Sequence, residues 1–161
     1  LRKYEHDVFY SYRGSSWGWA TWDDRWEKTD WEVKEYDAFL KDTSWQKRFN
    51  RGGADLTNML ALQMQGKISS WAVRWVYTQS NLNMYTVYPK NSYILNDGCD
   101  GSGTHVGTTK EYSTDISDGT AKCRFERLGI DRKIAREFWY KYSDTLDKKI
   151  KRNLKKIFGK K

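Results

Sequence analysis

Residues 13–22 of the chain, RGSSWGWATW, combine three tryptophans with two glycines within ten positions. Tryptophan carries a large ring surface that usually packs against other groups, and glycine loses more conformational freedom on folding than any other residue. This glycine–tryptophan segment therefore needs a packing role or a ligand role. Two interpretations are open: a tight turn whose rings join the core, or a loop whose rings and backbone contact a sugar or a base.

Rings are frequent along the whole chain, which has 161 residues and contains 9 Trp, 11 Tyr and 6 Phe. A chain of this length can form one domain with a hydrophobic core, and the composition predicts that rings make up much of that core. No apolar run approaches the roughly 20 residues that span a bilayer, and we recognise no signal peptide. Because the sequence begins with Leu1 and not with Met, we expect it to be a fragment.

Local patterns predict a chain that mixes helices and strands. In the run that starts at Asp55, the spacing of Leu56, Met59, Leu60 and Met64 puts these apolar residues on one helical face, and Gly66 is a natural stop. The predicted order is a strand in 6–12, short helices and turns in 23–50, a helix from Asp55 to Gly66, strands at 70–79 and 84–89, a long loop at 91–120, and a helix from Asp131 to Phe158.

The positive charge of the chain is concentrated at its C-terminal end. The formal net charge is +8, and residues 148–161 hold eight Lys or Arg and no acid, so the rest of the chain is balanced. This distribution argues against a basic groove for nucleic acid along the fold. Residues 146–158 have the pattern of an amphipathic basic helix suited to an anionic membrane surface, or else of a solvated helix packed on the domain.

Asp55 is the first candidate for chemistry, because it follows Gly52 and Gly53 at the start of a predicted helix. A carboxylate in this position can cap the helix. It can also act as a general base that the helix holds rigidly and the glycines leave accessible. Such a base contributes about 10²–10⁴ in rate.

His105 is the second candidate, in the run DGSGTHVG. A histidine among small residues can ligate a metal or donate to a phosphate oxygen, although an incidental loop histidine would have the same neighbours. Cys99 and Cys123 are too few for a disulfide scaffold and lack metal-site spacing, which predicts reduced thiols in a cytosolic protein.

Three segments taken together resemble a known family. RGSSWGWATWDDRW, RGGADLTNMLALQMQGKISSWAVRW and NDGCDGSGTHVG are similar, in this order, to the C-terminal half of bacterial glycosyltransferases with the GT-A fold, which build cell-surface polysaccharides. The resemblance covers roughly residues 4–110. It implies an α/β fold, the C-terminal portion of a Rossmann-like GT-A domain, with a mixed sheet and flanking helices. Residues 1–130 would form the acceptor and catalytic part, and 131–161 the basic amphipathic helix and tail.

The resemblance also implies roles for single residues. Asp55 would be the catalytic base of an inverting enzyme, and His105 would contact the metal or the diphosphate, the metal being Mg²⁺ or Mn²⁺. Ala54 departs from the family pattern, which usually has a second carboxylate there. The residues implied to bind the donor or the acceptor are Arg13, Gly14, Ser15, Ser16, Trp17, Gly18, Trp19 and Trp22.

The activity implied is transfer of a sugar from a nucleotide-diphosphate donor to a glycan or lipid-linked acceptor. The partners would be these substrates and an anionic membrane surface that the C-terminal tail contacts, with no nucleic acid. The location would be cytoplasmic, peripheral at the inner face of the membrane. We find no candidate for the nucleotide-binding half with its Asp-x-Asp motif, so we expect the isolated chain to be inactive. The main alternative is a non-catalytic carbohydrate-binding module, in which Asp55 and His105 would not share a pocket.

Overall fold

A computed structural model describes residues 4–95, 116–117 and 123–143. The described ranges mix helices with a small sheet, which confirms the predicted α/β character. The sheet found there has two antiparallel strands, so the predicted mixed sheet is not seen among these residues. The elements are β1 (Val8–Ser11), α1 (Asp23–Trp26), α2 (Tyr36–Lys41), α3 (Thr43–Phe49), a 3₁₀ turn (Asn50–Gly52), α4 (Leu56–Met64), α5 (Trp71–Asn81), β2 (Thr86–Pro89) and α6 (Arg132–Lys141).

Helices α2 to α5 enclose the main hydrophobic core. Phe39, Phe49 and Tyr77 meet edge to face with ring centroids 5.4–5.8 Å apart, an arrangement that aromatic pairs favour. The prediction of a ring-rich core is thus confirmed for this cluster. We call this cluster the helical core; its buried members are Val33, Phe39, Phe49, Leu56, Leu60, Val73, Val76 and Tyr77.

Helix α4 forms where it was predicted, but its predicted apolar face is buried only in part. Leu56 and Leu60 are buried, Met59 packs against the helical core, and Met64 is exposed at the end of the helix. Gly66 follows with φ at +68°, the left-handed conformation that commonly terminates helices.

The strand predicted at 70–79 is wrong, because this segment forms helix α5. Its β-branched and aromatic residues favour a strand by composition. Val73, Val76 and Tyr77, however, are spaced as one face of a helix, and that face is buried in the helical core. Packing of the apolar face therefore overrides strand propensity here.

Strands β1 and β2 pair with Phe9 opposite Tyr88, and these two rings stack with centroids 5.4 Å apart. Phe138 of α6 packs against both rings, at 5.8 and 5.7 Å. A two-stranded sheet has little stability alone, so this ring contact with α6 stabilises it. Strands were predicted in both regions, and both predictions are confirmed.

Helix α6 begins at Arg132, after Asp131, whose side chain accepts hydrogen bonds from the backbone N–H groups of Lys133 and Ile134. The predicted helix start is therefore confirmed and has a side-chain cap. The prediction of one continuous helix to Phe158 is wrong, because α6 ends at Lys141. The predicted basic amphipathic helix at 146–158 lies outside the described residues. Within the described ranges, no helix is both long and apolar enough to cross a bilayer.

Candidate functional site

The two glycines of the glycine–tryptophan segment allow close packing. A Cβ on Gly18, whose φ is +49°, would lie 2.5 Å from Cδ1 of Ile94. A Cβ on Gly14 would lie 3.2 Å from both Val76 and Gln79 of α5. The segment therefore approaches α5 and the residues after β2 more closely than a side chain at either position would permit.

The tryptophans of this segment divide between packing and exposure. Trp19 lies against Trp71 and Trp75 of α5, with ring centroids 5.0 and 6.1 Å apart. Trp17 and Trp22, by contrast, expose 42% and 75% of their surfaces. The packing interpretation therefore holds for Trp19, and the ligand interpretation of Trp17 and Trp22 stays a prediction.

The exposed side of the segment lines a cleft of about 1100 Å³. Its lining also includes β2 with Phe9, Trp75 and Gln79 of α5, and Phe138 and Tyr142 at the end of α6. Ligand pockets typically enclose about 300–1,000 Å³, so this aromatic cleft can hold more than one sugar ring. Of the residues predicted to bind donor or acceptor, those that line it are Gly14, Ser15, Trp17, Gly18, Trp19 and Trp22, whereas Arg13 and Ser16 do not.

Asp55 forms a two-point ion pair with Arg13. The guanidinium donates from Nη1 to Oδ1 at 2.8 Å and from Nη2 to Oδ2 at 2.9 Å. Asp55 precedes the first residue of α4, but its side chain makes no capping hydrogen bond, so the helix-cap interpretation is wrong. The Asp55 side chain is 30% exposed and that of Arg13 is 12% exposed. The carboxylate is thus oriented by a nearly buried cation and remains accessible.

The glycines before Asp55 are required by this pair. Gly53 has φ at +145°, and a Cβ there would lie 2.5 Å from Asp55 Oδ1 and 2.7 Å from Arg13 Nη1. A Cβ on Gly52 would lie 2.8 Å from the carbonyl oxygen of Tyr12. Gly53 therefore gives Arg13 the space to reach the carboxylate, and Gly52 allows the backbone to approach Tyr12.

Two tyrosines connect the Arg13–Asp55 pair to the aromatic cleft. The ring of Tyr142 covers the guanidinium, with Cζ of Arg13 3.7 Å from the ring centroid. The Tyr88 hydroxyl donates to the carbonyl oxygen of Arg13 at 3.0 Å. Burial raises the pKa of Tyr88 above its usual value, so this hydroxyl stays protonated as a donor. Both tyrosines line the cleft and Asp55 does not, which puts the pair directly behind the cleft wall.

The predicted metal site is not supported by the part of the chain that the structure describes. No group of three or more His, Cys, Asp or Glu side chains is clustered there. Asp24, which lies two residues after the glycine–tryptophan segment, pairs with Arg25 and Lys28. His105 and Cys99 lie outside the described residues, so the prediction for His105 is untested, and we derive no step through Mg²⁺ or Mn²⁺. Cys123 is a free thiol, as predicted.

Sequence reasoning missed the contribution of α6 to the cleft. Phe138 and Tyr142 are four residues apart, so one helical face carries both rings, and that spacing was a usable signal. The role of Arg13 as the partner of Asp55 was also missed, because 42 residues separate them in the chain.

The chain matches no protein-family model, no curated protein and no solved structure. Membership of the glycosyltransferase family therefore stays a prediction. A functional proposal has to rest on the aromatic cleft and on the Arg13–Asp55 pair behind it.

Proposed function

We propose that this chain is the acceptor-side part of a glycosyltransferase with a GT-A-like fold, which moves a sugar from a nucleotide-diphosphate donor to a glycan or lipid-linked acceptor. One observation carries the proposal: the glycine–tryptophan segment lines a large aromatic cleft, and a carboxylate held by an arginine lies directly behind the cleft wall.

The cleft has the features of a carbohydrate site. Trp17, Trp22 and Tyr85 expose 42%, 75% and 43% of their surfaces, and sugar rings stack on flat apolar faces of this kind. Gln79 and Thr86, which bond to each other at 3.2 Å, supply polar groups on the same lining for sugar hydroxyls. Apolar walls with few polar groups are typical of small-molecule sites.

Asp55 supplies the base in this proposal. Arg13 occupies one lone pair of each carboxylate oxygen, so a further lone pair of each remains for a proton. Asp55 does not line the cleft, so the acceptor hydroxyl has to reach the carboxylate on its exposed side, and the carboxylate takes the proton as the hydroxyl oxygen forms a bond to the anomeric carbon of the donor. The bond from this carbon to the diphosphate oxygen breaks, and the nucleoside diphosphate leaves with its electron pair. Aromatic walls limit water entry and so suppress donor hydrolysis.

The remaining parts of the proposal come from the resemblance. His105 with Mg²⁺ or Mn²⁺ would offset the charge of the diphosphate, and the tail at 146–158 would bring the enzyme to an anionic membrane surface on the cytoplasmic side. We expect the 161-residue chain alone not to transfer sugar. Turnover by this isolated chain would contradict that expectation.

A second candidate is a carbohydrate-binding module without catalysis. It is favoured by the position of Asp55, which does not line the cleft and already accepts two hydrogen bonds from Arg13. In that case the pair only fixes the segment to α4. The two candidates differ in whether nucleotides bind and in whether Asp55 is needed for turnover.

The test uses the longest natural form of the protein. UDP, GDP, CDP and dTDP are titrated calorimetrically with Mn²⁺, and nucleotide release from the matching sugar donors is then assayed. We expect one nucleotide to bind, and Asp55→Asn to lower turnover by about 10²–10⁴-fold while nucleotide affinity is unchanged. Asp37→Asn, an exposed carboxylate on α2, is the matched control and should keep full turnover.

Two results would contradict the proposal that the chain is part of a transferase. Failure of the folded protein to bind any of the four nucleotides, together with binding of oligosaccharides, would favour the binding module. Full turnover by Asp55→Asn would remove Asp55 from the chemistry.

A further inference from the structure

All the charged side chains that line the aromatic cleft in the described residues are cationic. They are Arg25 in α1, Lys90 just after β2, and Lys141 at the end of α6. No Asp or Glu of the described residues lines the cleft, although the chain outside its C-terminal tail has as many acidic as basic residues. The charge on the lining itself is therefore positive and separate from that of the tail, although Asp24, which does not line the cleft, pairs with Arg25.

Two of these cations, Lys90 and Arg25, have contacts that still allow them to bind a ligand. The Lys90 ammonium donates to the carbonyl oxygen of Tyr4 at 2.5 Å, which holds it in position and leaves two further N–H donors. Arg25 is 44% exposed and pairs with Asp24, which is 55% exposed. Exposed pairs of this kind contribute about 0–1 kcal/mol, so a ligand anion can share or replace the partner.

The cations also lie beside the rings that would stack on sugar. Arg25 is three residues from Trp22, and Lys141 is adjacent to Tyr142. They belong to three separate elements around a cleft of about 1100 Å³. This arrangement suits an extended ligand with several anionic groups better than one compact anion.

We infer that the sugar bound in this cleft is acidic: an oligosaccharide whose rings carry carboxylates, as in a chain of uronic acids. The inference rests on the proposed function in that it assigns the substrate class of the same cleft. Stacking on Trp17 and Trp22 supplies contact area, and the cations select charged rings over neutral ones through charge-assisted hydrogen bonds.

The test compares two probes that differ only in charge-bearing groups. The galacturonic acid trimer and galactotriose are titrated calorimetrically into the full chain, with UDP as a diphosphate probe. We expect the acidic trimer to bind about 10- to 100-fold more tightly than the neutral one, and the difference to shrink as salt is raised. UDP without sugar should not compete with the trimer, which separates carboxylates on sugar from a diphosphate as the source of the signal.

Matched double variants locate the effect. Lys90→Met with Lys141→Met should remove most of the preference for the acidic trimer over galactotriose, since only Arg25 then remains. Lys41→Met with Lys47→Met, two exposed lysines on α2 and α3 that do not line the cleft, should leave it unchanged with the same loss of charge. The salt dependence of the natural chain needs no variant, so the inference can be tested even if the first pair unfolds the protein.

Equal binding of the two trimers, tighter binding of galactotriose, binding of neither, or competition by UDP would overturn the inference. These results are separate from those that test the transferase. A nucleotide-dependent enzyme that uses neutral acceptors would keep the proposed function and reject the acidic ligand. Selective binding of the acidic trimer without nucleotide binding or turnover would keep the acidic ligand and reject the transferase function.

Discussion

The helical core and the aromatic cleft use the same residue types in opposite ways. Phe39 and Tyr77 are 0% and 1% exposed and meet other rings edge to face, whereas Trp17 and Trp22 are 42% and 75% exposed. Between these extremes, Trp19 packs against Trp75 while both line the cleft. Rings of the same type are therefore buried for stability in one region and exposed in the other, where we propose that they contact a ligand.

The largest expected effect comes from the helical core. Phe39→Ala removes a fully buried ring, and we expect the free energy of unfolding to fall by about 3–5 kcal/mol. Urea denaturation followed by circular dichroism measures it. Trp22→Ala, the matched ring of the cleft, should change the same quantity by no more than about 0.5 kcal/mol. Similar losses for the two variants would remove the distinction between the regions.

The next effect concerns Gly53, which lies against the Arg13–Asp55 pair. Gly53→Ala puts a Cβ against both Asp55 and Arg13 at a φ of +145°, and we expect it to lower the free energy of unfolding by about 3 kcal/mol. Gly66→Ala is the control, since its φ of +68° is also left-handed but nothing lies within 4 Å. It should cost only about 1 kcal/mol. If thermal denaturation gave equal losses, crowding around the Arg13–Asp55 pair would not be the cause.

A smaller effect concerns the Tyr88 hydroxyl, which joins the lining of the cleft to Arg13. Tyr88→Phe removes the hydrogen bond to Arg13, at a cost of about 1 kcal/mol near neutral pH. Since burial raises the pKa of Tyr88 in the folded state, the unfolded chain loses this proton first as pH rises above about 10. Stability therefore falls with rising pH above that value, and the variant should show a shallower fall. An unchanged slope in denaturation curves at alkaline pH would contradict the buried state of this hydroxyl.

Sequence patterns predicted the regions with local signals and missed those that depend on distant contacts. Helix α4 followed from the spacing of Leu56 and Leu60, and its end followed from Gly66. Helix α5 was mistaken for a strand, because its ring and β-branched content outweighed the helical spacing of Val73, Val76 and Tyr77.

The candidate site was predictable only in part, for a related reason. A ligand loop was one of two interpretations of the glycine–tryptophan segment, and most of the segment's residues do line the cleft. The pairing of Arg13 with Asp55, and the covering of Arg13 by Tyr142, join residues far apart in the chain. Contacts of that kind depend on how helices and strands pack, which local periodicity does not encode.

We propose that the rings of the aromatic cleft, and not those of the helical core, contact a sugar. NMR of the nine indole N–H groups tests it most directly, during titration of the full chain with the galacturonic acid trimer and with galactotriose. We predict that the signals of Trp17, Trp19, Trp22 and Trp75 shift. The signal of Trp45, which packs on the helical core and donates to Asn81 at 2.6 Å, should stay in place. A shift of the Trp45 signal alone, or of no indole signal with either trisaccharide, would contradict sugar binding by the rings of the aromatic cleft.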